Sequence, residues 1–279
     1  MPLSEAGAVE VAARDFSYES GLSGRTSLRA VVVETPINIL FGGVGFAVMM
    51  ATPQDLEDFG YGFAFTEGII RRAEDIRGVE VSRAEAGLKL DIALSGERLG
   101  AHLARARAMA GRTGCGLCGI DDLAHLPQPS RVVEAEPIAP AAIEAALRAL
   151  DAAQALNAET HAAHGAAWCD RGGAIVALRE DVGRHNALDK LIGALIRQGV
   201  EPSGGFLVIT SRCSFEMVAK AAVFGASTLV AVSAPTSLAL ERAALCGVNL
   251  IALARADHAT VFASEAGPAR KAGDGGLAA

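Results

Sequence analysis

Residues 206–220 read Phe206-Leu207-Val208-Ile209-Thr210-Ser211-Arg212-Cys213-Ser214-Phe215-Glu216-Met217-Val218-Ala219-Lys220. The short aliphatic run 206–210 predicts a buried strand, the small polar residues after it predict a loop, and 215–224 carries a helical pattern. The same alternation continues on both sides. Upstream lie a strand at 174–178 and a helix at 187–197; downstream lie a strand at 228–232, a helix at 238–246 and a strand at 250–254. Such alternation predicts a three-layer α/β domain with a largely parallel sheet. Residues 140–157 add an Ala- and Leu-rich helix with Ile143, Leu147, Leu150 and Leu156 inward.

The N-terminal part has a different pattern. Ala30-Val31-Val32-Val33 and Phe46-Ala47-Val48-Met49 predict strands, and 54–70 predicts a helix with Leu56, Phe59, Phe63 and Ile70 near one face. A smaller α+β domain is expected over 26–110. Residues 111–129 crowd Gly, Pro, Asp and Cys without an apolar period, so a mobile loop over 111–130 is expected to lead into the α/β domain at 131–264. Residues 1–25 and 265–279 lack sustained periodicity and are expected to be disordered tails.

A chain of 279 residues can bury one large core or two modest ones. Its formal charge of -7 gives no bulk basic field for nucleic acid or an anionic membrane, although a local basic site for a small phosphate ligand is compatible with it. No segment has the roughly 18 uninterrupted apolar residues of a spanning helix, and the acidic start MPLSEAGAVEVAARDFSYESG lacks the form of a secretory signal. A cytoplasmic protein is expected. Its five cysteines are too few, and odd in number, for a secreted disulfide framework.

Two features point to chemistry. The first is Cys115-Gly116-Leu117-Cys118, flanked by Gly114 and Gly119, with Arg112 three residues before the first thiol. Glycines let the backbone fold sharply and expose both sulfurs, and a nearby cation favours the nucleophilic thiolate. A lone pair of this spacing is equally half of a zinc site, which would need two more ligands from Cys169, Cys213, His102 or His125. Cys169, Cys213 and Cys246 lie in or beside apolar segments and read as packing residues. His161 and His164 could seat a metal at helical spacing but have no nearby partner pair, so a structural role is favoured.

The second feature is three polar loops, each between a strand and a helix: Glu180-Asp181-Val182-Gly183-Arg184-His185-Asn186, Thr210-Ser211-Arg212-Cys213-Ser214 and Ser233-Ala234-Pro235-Thr236-Ser237. In a parallel sheet such loops share one edge, where helix N-termini favour anions. Arg184 and Arg212 add donors suited to phosphate. Asn186, Ser214 and Thr236 taken singly are ordinary helix caps; three such loops with two arginines favour a nucleotide or nucleotide-bearing cofactor.

These residues resemble the formate dehydrogenase accessory sulfurtransferase family (FdhD). The resemblance rests on Glu34-Thr35-Pro36-Ile37-Asn38-Ile39, Phe65-Thr66-Glu67-Gly68-Ile69-Ile70, residues 112–119, residues 179–190, residues 210–220 and residues 233–239. It implies a sulfurtransferase that receives sulfur from a cysteine desulfurase and passes it to a molybdenum (or tungsten) bis-guanine-dinucleotide cofactor destined for the catalytic subunit of formate dehydrogenase. Cys115 would carry the persulfide and Cys118 would assist. The cofactor, molybdenum bis(molybdopterin guanine dinucleotide), would be a client, held by Arg184, His185, Ser211, Arg212, Ser214, Pro235 and Thr236 together with Leu253, Ala254, Arg255, Ala256, Asp257 and His258, and no permanent metal is expected. In that last segment Leu253 replaces an aromatic and His258 a basic residue of the commoner pattern.

The fold implied for the C-terminal domain is similar to cytidine deaminases, but Gly165 and Ala166 follow His164 where a deaminase has its catalytic Glu, so deaminase chemistry is disfavoured. A homodimer is expected from the two arms of the cofactor and from the prevalence of symmetric pairs. The competing class is a cofactor-binding chaperone whose Cys pair only grips a metal.

Overall fold

The computed structural model describes residues 6–19, 21–100 and 137–262. It opens with a hairpin in which β1 (Ala8–Ser17) pairs antiparallel with β2 (Gly21–Val32), from Ala8 opposite Val32 to Ser17 opposite Gly21. Over the described residues this corrects the expected tail over 1–25. The hairpin is held through its backbone ladder while most of its β1 side chains stay exposed, so no apolar period marks it in the sequence.

β3 (Thr35–Phe41), β4 (Val44–Ala51), β5 (Ile76–Ala84) and β6 (Gly87–Leu94) form a four-stranded sheet in the order β4-β3-β6-β5. Alternation in β3 turns Ile37, Ile39 and Phe41 inward. They pack with Leu90, Ile92, Phe59 and Phe63, the last two from α1 (Leu56–Thr66).

A second sheet contains β7 (His164–Asp170), β8 (Ile175–Asp181), β9 (Gly205–Ile209), β10 (Thr228–Ala231), β11 (Asn249–Ala252) and β12 (Thr260–Phe262), in the order β12-β11-β10-β9-β7-β8. β8, β9, β10 and β11 run in one direction, but only the β9–β10 and β10–β11 pairings are parallel; β7 is antiparallel to both β8 and β9, and β12 to β11. The sheet is therefore mixed rather than largely parallel. β7 turns straight into β8 with no crossover helix between them, and a short turn permits only antiparallel pairing. β7 itself escapes the sequence pattern because Gly165, Ala166, Ala167, Trp168 and Cys169 are buried without alternating polar positions.

The helices of this part are α2 (Pro140–Ala153), α3 (Ala155–Thr160), α4 (Arg184–Arg197), α5 (Phe215–Phe224) and α6 (Ser237–Cys246). α2 covers one face of the sheet, with Ile143 and Leu150 in a core with Phe206 and Val208. α4, α5 and α6 cover the other, where Leu188, Val218 and Ala243 share a core with Leu207 and Ile209. Two-residue alternation along β9 thus feeds two cores, and the expected three layers are present. The single helix expected over 140–157 is broken at Gln154, because the Glu180 carboxylate accepts the N–H groups of Leu156 and Asn157, both at 2.8 Å, and so starts α3 afresh.

α1 crosses α4 at Gly62 and Gly193, where a Cβ on either would overlap the backbone carbonyl of Asp189 or Asp58 respectively. Buried polar contacts tighten this joint. Arg179 pairs with Asp58 at 2.7 Å, Lys190 Nζ donates to Thr52 O at 2.9 Å, and Asn186 Nδ2 donates to Met50 O at 2.8 Å. Thr66 Oγ1 donates to Asp189 Oδ1 at 2.7 Å, and Lys220 reaches both residues at 2.9 Å. No described helix is long and apolar enough to cross a membrane. The expected loop 111–130 and tail 265–279 lie outside the described residues, as do Cys115 and Cys118.

Candidate functional site

β8 and β9 both run antiparallel to β7, and β9 runs parallel to β10 and β11. The carboxyl ends of β8, β9, β10 and β11 therefore meet on one edge, where β7 begins. The three loops are gathered there as the sequence implies. They are stitched together by backbone bonds from Cys213 N to Ala234 O at 3.1 Å, Thr236 N to Cys213 O at 3.0 Å and Leu253 N to Ser233 O at 3.2 Å. The segment 253–258 is part of the same edge.

Within the first loop, residues divide by role. Glu180 caps α3, and Asp181 is fully buried, accepting from Thr52 N at 3.0 Å, Gly183 N at 2.7 Å and Asn186 Nδ2 at 2.9 Å. Asn186 is a buried bridge to Met50 rather than a helix cap. Arg184 and His185 are left as the loop's available side chains, and Arg184 Nε and His185 Nε2 are buried with no hydrogen-bond partner among the described residues. Neither α4 nor α5 has a side-chain cap on its first N–H groups. Free helix N–H groups and unpaired guanidinium and imidazole nitrogens together suit an anionic or acceptor-rich ligand.

The second loop holds Ser211, buried and donating to Arg212 O at 3.0 Å, and Arg212, which is exposed. Ser214 does not cap α5; its hydroxyl donates to Glu216 Oε2 at 2.7 Å. Glu216 Oε2 also lies 3.8 Å from His185 Nε2. His185 and then the Ser214 hydroxyl hold the Glu216 carboxyl down to about 2, against the effect of burial. Because Ser214 donates to the carboxylate and not to the imidazole, this trio is not wired as a serine nucleophile. Glu216 was quoted in the sequence motif but drew no role. A carboxylate two residues after an edge serine was its only signal.

In the third loop Pro235 pairs with Cys213, and Thr236 accepts from Ala239 N at 3.3 Å, so capping accounts for that hydroxyl. Beyond β11, exposed Leu253 adopts a left-handed φ of 53°, Ala254 is buried, and Arg255 N donates to His258 O at 2.7 Å across Ala256 and Asp257. Arg255 also donates to Val232 O and Ala254 O. His258 Nδ1 lies 2.8 Å from Asp257 Oδ1. His164, half-buried at the start of β7, is pushed below the usual histidine range by burial and then by the Arg184 charge.

The described cysteines are not suited to nucleophilic work. Cys169, Cys213 and Cys246 are buried, and burial pushes the first two thiols up to about 12 and raises the third. Among the described residues no three His, Cys, Asp or Glu side chains stand together as a metal site.

Residues 32–267 match the FdhD/NarQ family. The chain belongs to that family. Among its relatives, a protein of Bordetella petrii named sulfur carrier protein FdhD is 45% identical over 233 residues, covering 83% of this chain and 84% of the relative. A protein of the same name from Xanthomonas euvesicatoria pv. vesicatoria is 47% identical over 235 residues, 84% of this chain and 83% of the relative. In three dimensions the chain is similar to the crystal structure of a candidate formate dehydrogenase accessory protein from Desulfotalea psychrophila, with a TM-score of 0.71, 25% identity, and coverage of 92% of this chain and 97% of the other. The span matched by the FdhD/NarQ family includes the whole strand edge and both Cys115 and Cys118.

Proposed function

We propose that this protein carries sulfur as a persulfide on Cys115 and delivers it to a molybdenum (or tungsten) bis-guanine-dinucleotide cofactor required by formate dehydrogenase. The observation that carries the reading is the division among the five cysteines: three are buried with raised thiols, while Cys115 and Cys118 sit among glycines next to Arg112 in a chain whose relatives are named sulfur carriers. The Cys115 thiolate attacks the terminal sulfur of a desulfurase cysteine persulfide, forming Cys115–S–SH and releasing the desulfurase thiolate. Attack by the Cys118 thiolate on the Cys115 sulfur then forms a Cys115–Cys118 disulfide and expels hydrosulfide to the cofactor. A thiol reductant restores the pair.

The client cofactor brings phosphates and guanine bases, and the strand edge fits that chemistry. Arg184, His185 and Arg212 supply donors, and the uncapped N-termini of α4 and α5 supply free N–H groups. The segment from Leu253 to His258 and the Ser211, Ser214, Pro235 and Thr236 positions border the same edge. Two such arms on one cofactor suit a homodimer, with a cysteine desulfurase and the formate dehydrogenase catalytic subunit as successive partners in the cytoplasm.

Replacement of Cys115 by Ala in cells that lack their own sulfur carrier tests the reading. The variant is expected to leave formate dehydrogenase inactive while the wild-type chain restores it; equal restoration by both would refute it. Metal analysis of the purified protein separates the chaperone alternative, since stoichiometric zinc on both thiols leaves no nucleophile.

A further inference from the structure

The β1–β2 hairpin is a separate two-stranded sheet that rests mainly on α3, a helix of 6 residues. A two-stranded hairpin alone is marginally stable in water; three or more strands with an apolar face, or packing against a helix, are needed to hold one firmly. This one keeps Val11, Leu28 and Val31 exposed. All of it except Val32 precedes the FdhD/NarQ match, which begins at residue 32.

Backbone direction fixes what its outer edge offers. Val33 N donates to Gly7 O at 2.8 Å, and directly opposite residues of an antiparallel ladder alternate between bonded and unbonded pairs. Val9, Val11 and Ala13 therefore use their N–H and C=O groups on Val31, Arg29 and Ser27 of β2. Ala8, Glu10, Ala12 and Arg14 turn theirs away from β2, where no described backbone group bonds them. The register is regular up to Arg14, and β1 contains no proline, so neither a bulge nor a missing donor blunts this edge. An open row of this kind is a template for another strand.

The side chains say which strand. Glu10 and Arg14 stand on one face of β1, evenly spaced about Ala12, both exposed and neither in an ion pair with a described residue. When two β1 strands meet antiparallel about a two-fold axis at Ala12, each Ala12 faces the other and each Glu10 faces the other copy's Arg14. All of these are bonded pairs by the alternation above, so each exchanges both N–H···O bonds. Centring on Glu10 or Arg14 instead sets like charges face to face, which is destabilising. Centring on Val11 or Ala13 leaves neither charge opposite the other. The outward positions of β2, namely Thr26, Leu28, Ala30 and Val32, carry no charge and would set no register.

We propose that the outer edge of β1 is an interface with a second copy of this chain, paired antiparallel about Ala12 into a continuous four-stranded sheet. Val9, Val11 and Val31 of both copies then share one face. This rests on the homodimer reading, for which it names the surface, and it is independent of the sulfur chemistry.

The test is sedimentation velocity on the full chain, wild type beside two charge reversals. Wild type is expected to be dimeric. Glu10→Arg puts arginines face to face at both ends of the pairing and Arg14→Glu puts glutamates there, so each variant alone is expected to dimerise at least about tenfold more weakly, with the gap narrowing at high salt. Mixed in equal amounts, the two variants regain opposite charges at both positions and are expected to form a heterodimer of wild-type strength. Dimers that persist unchanged in both variants overturn the assignment while leaving the homodimer reading standing. So do two folded, monomeric variants that fail to recombine. A wild type that sediments as a monomer overturns the assignment and the homodimer reading together.

Discussion

Lys190 Nζ lies 2.7 Å from Asp181 Oδ2, and both side chains are fully buried. The pair connects three parts of the molecule, because Lys190 also donates to Thr52 O on the far side of the α1 joint, and Asp181 ends β8 immediately before the loop that carries Arg184 and His185. The polar joint and the candidate site are thus one construction. A buried charge that loses its partner costs about 3–5 kcal/mol. Lys190→Met is expected to destabilise the protein by that amount in urea melts; a loss under 1 kcal/mol would show that Asp181 is satisfied by its N–H donors alone.

The crossing of α1 and α4 permits no side chain at Gly62 or Gly193. Backbone carbonyls lie where each Cβ would go, and backbone moves less readily than a flexible side chain. Gly62→Ala and Gly193→Ala are each expected to cost at least about 1–3 kcal/mol, the usual range for overpacking, even though alanine favours helix. Unchanged thermal stability in either would contradict the close approach.

Acid stability offers a check on Glu216. Its carboxyl falls from 4.5 to about 2 on folding, so the unfolded chain binds the proton first as pH drops. The resulting stabilisation is present in full above about 4.5 and is lost as pH falls towards about 2. Glu216→Gln has no such group. The stability gap between wild type and variant should therefore narrow from pH 6 to pH 3; a gap independent of pH would mean that the carboxylate is not held by His185 and Ser214.

Arg184 is expected to contribute to anion binding through its unpaired Nε. Hydrogen bonds to charged groups are worth about 1.5–3 kcal/mol. Arg184→Gln should weaken binding of GDP, a stand-in for one nucleotide arm of the client cofactor, by that amount and flatten its dependence on salt. Unchanged GDP binding in this variant would show that Arg184 does not face the ligand.

Much of this was legible in the sequence where one physical cue dominates. α5 was expected over 215–224 and observed as Phe215–Phe224, because helical periodicity and the left-handed Gly225 that ends it agree. The shared edge followed from the succession of strand, polar loop and helix. β7 was not legible, since its small buried residues leave no alternation, and without it the antiparallel half of the sheet could not be anticipated. The β1–β2 hairpin was hidden because its side chains stay exposed. The break at Gln154 depends on Glu180, which lies 26 residues further along the chain, and long-range capping of that kind has no local signature. Glu216 was visible as a residue, but only its contacts with Ser214 and His185 distinguish it from a solvated helix-face carboxylate.

The most direct measurement is site-resolved mass spectrometry after incubation with a cysteine desulfurase and cysteine, with thiols alkylated to trap persulfides. The account predicts one added sulfur on the peptide containing Cys115, lost in Cys115→Ala, and none on Cys169, Cys213 or Cys246. Added sulfur on a buried cysteine instead, or no added sulfur while the desulfurase is turning over, would contradict it.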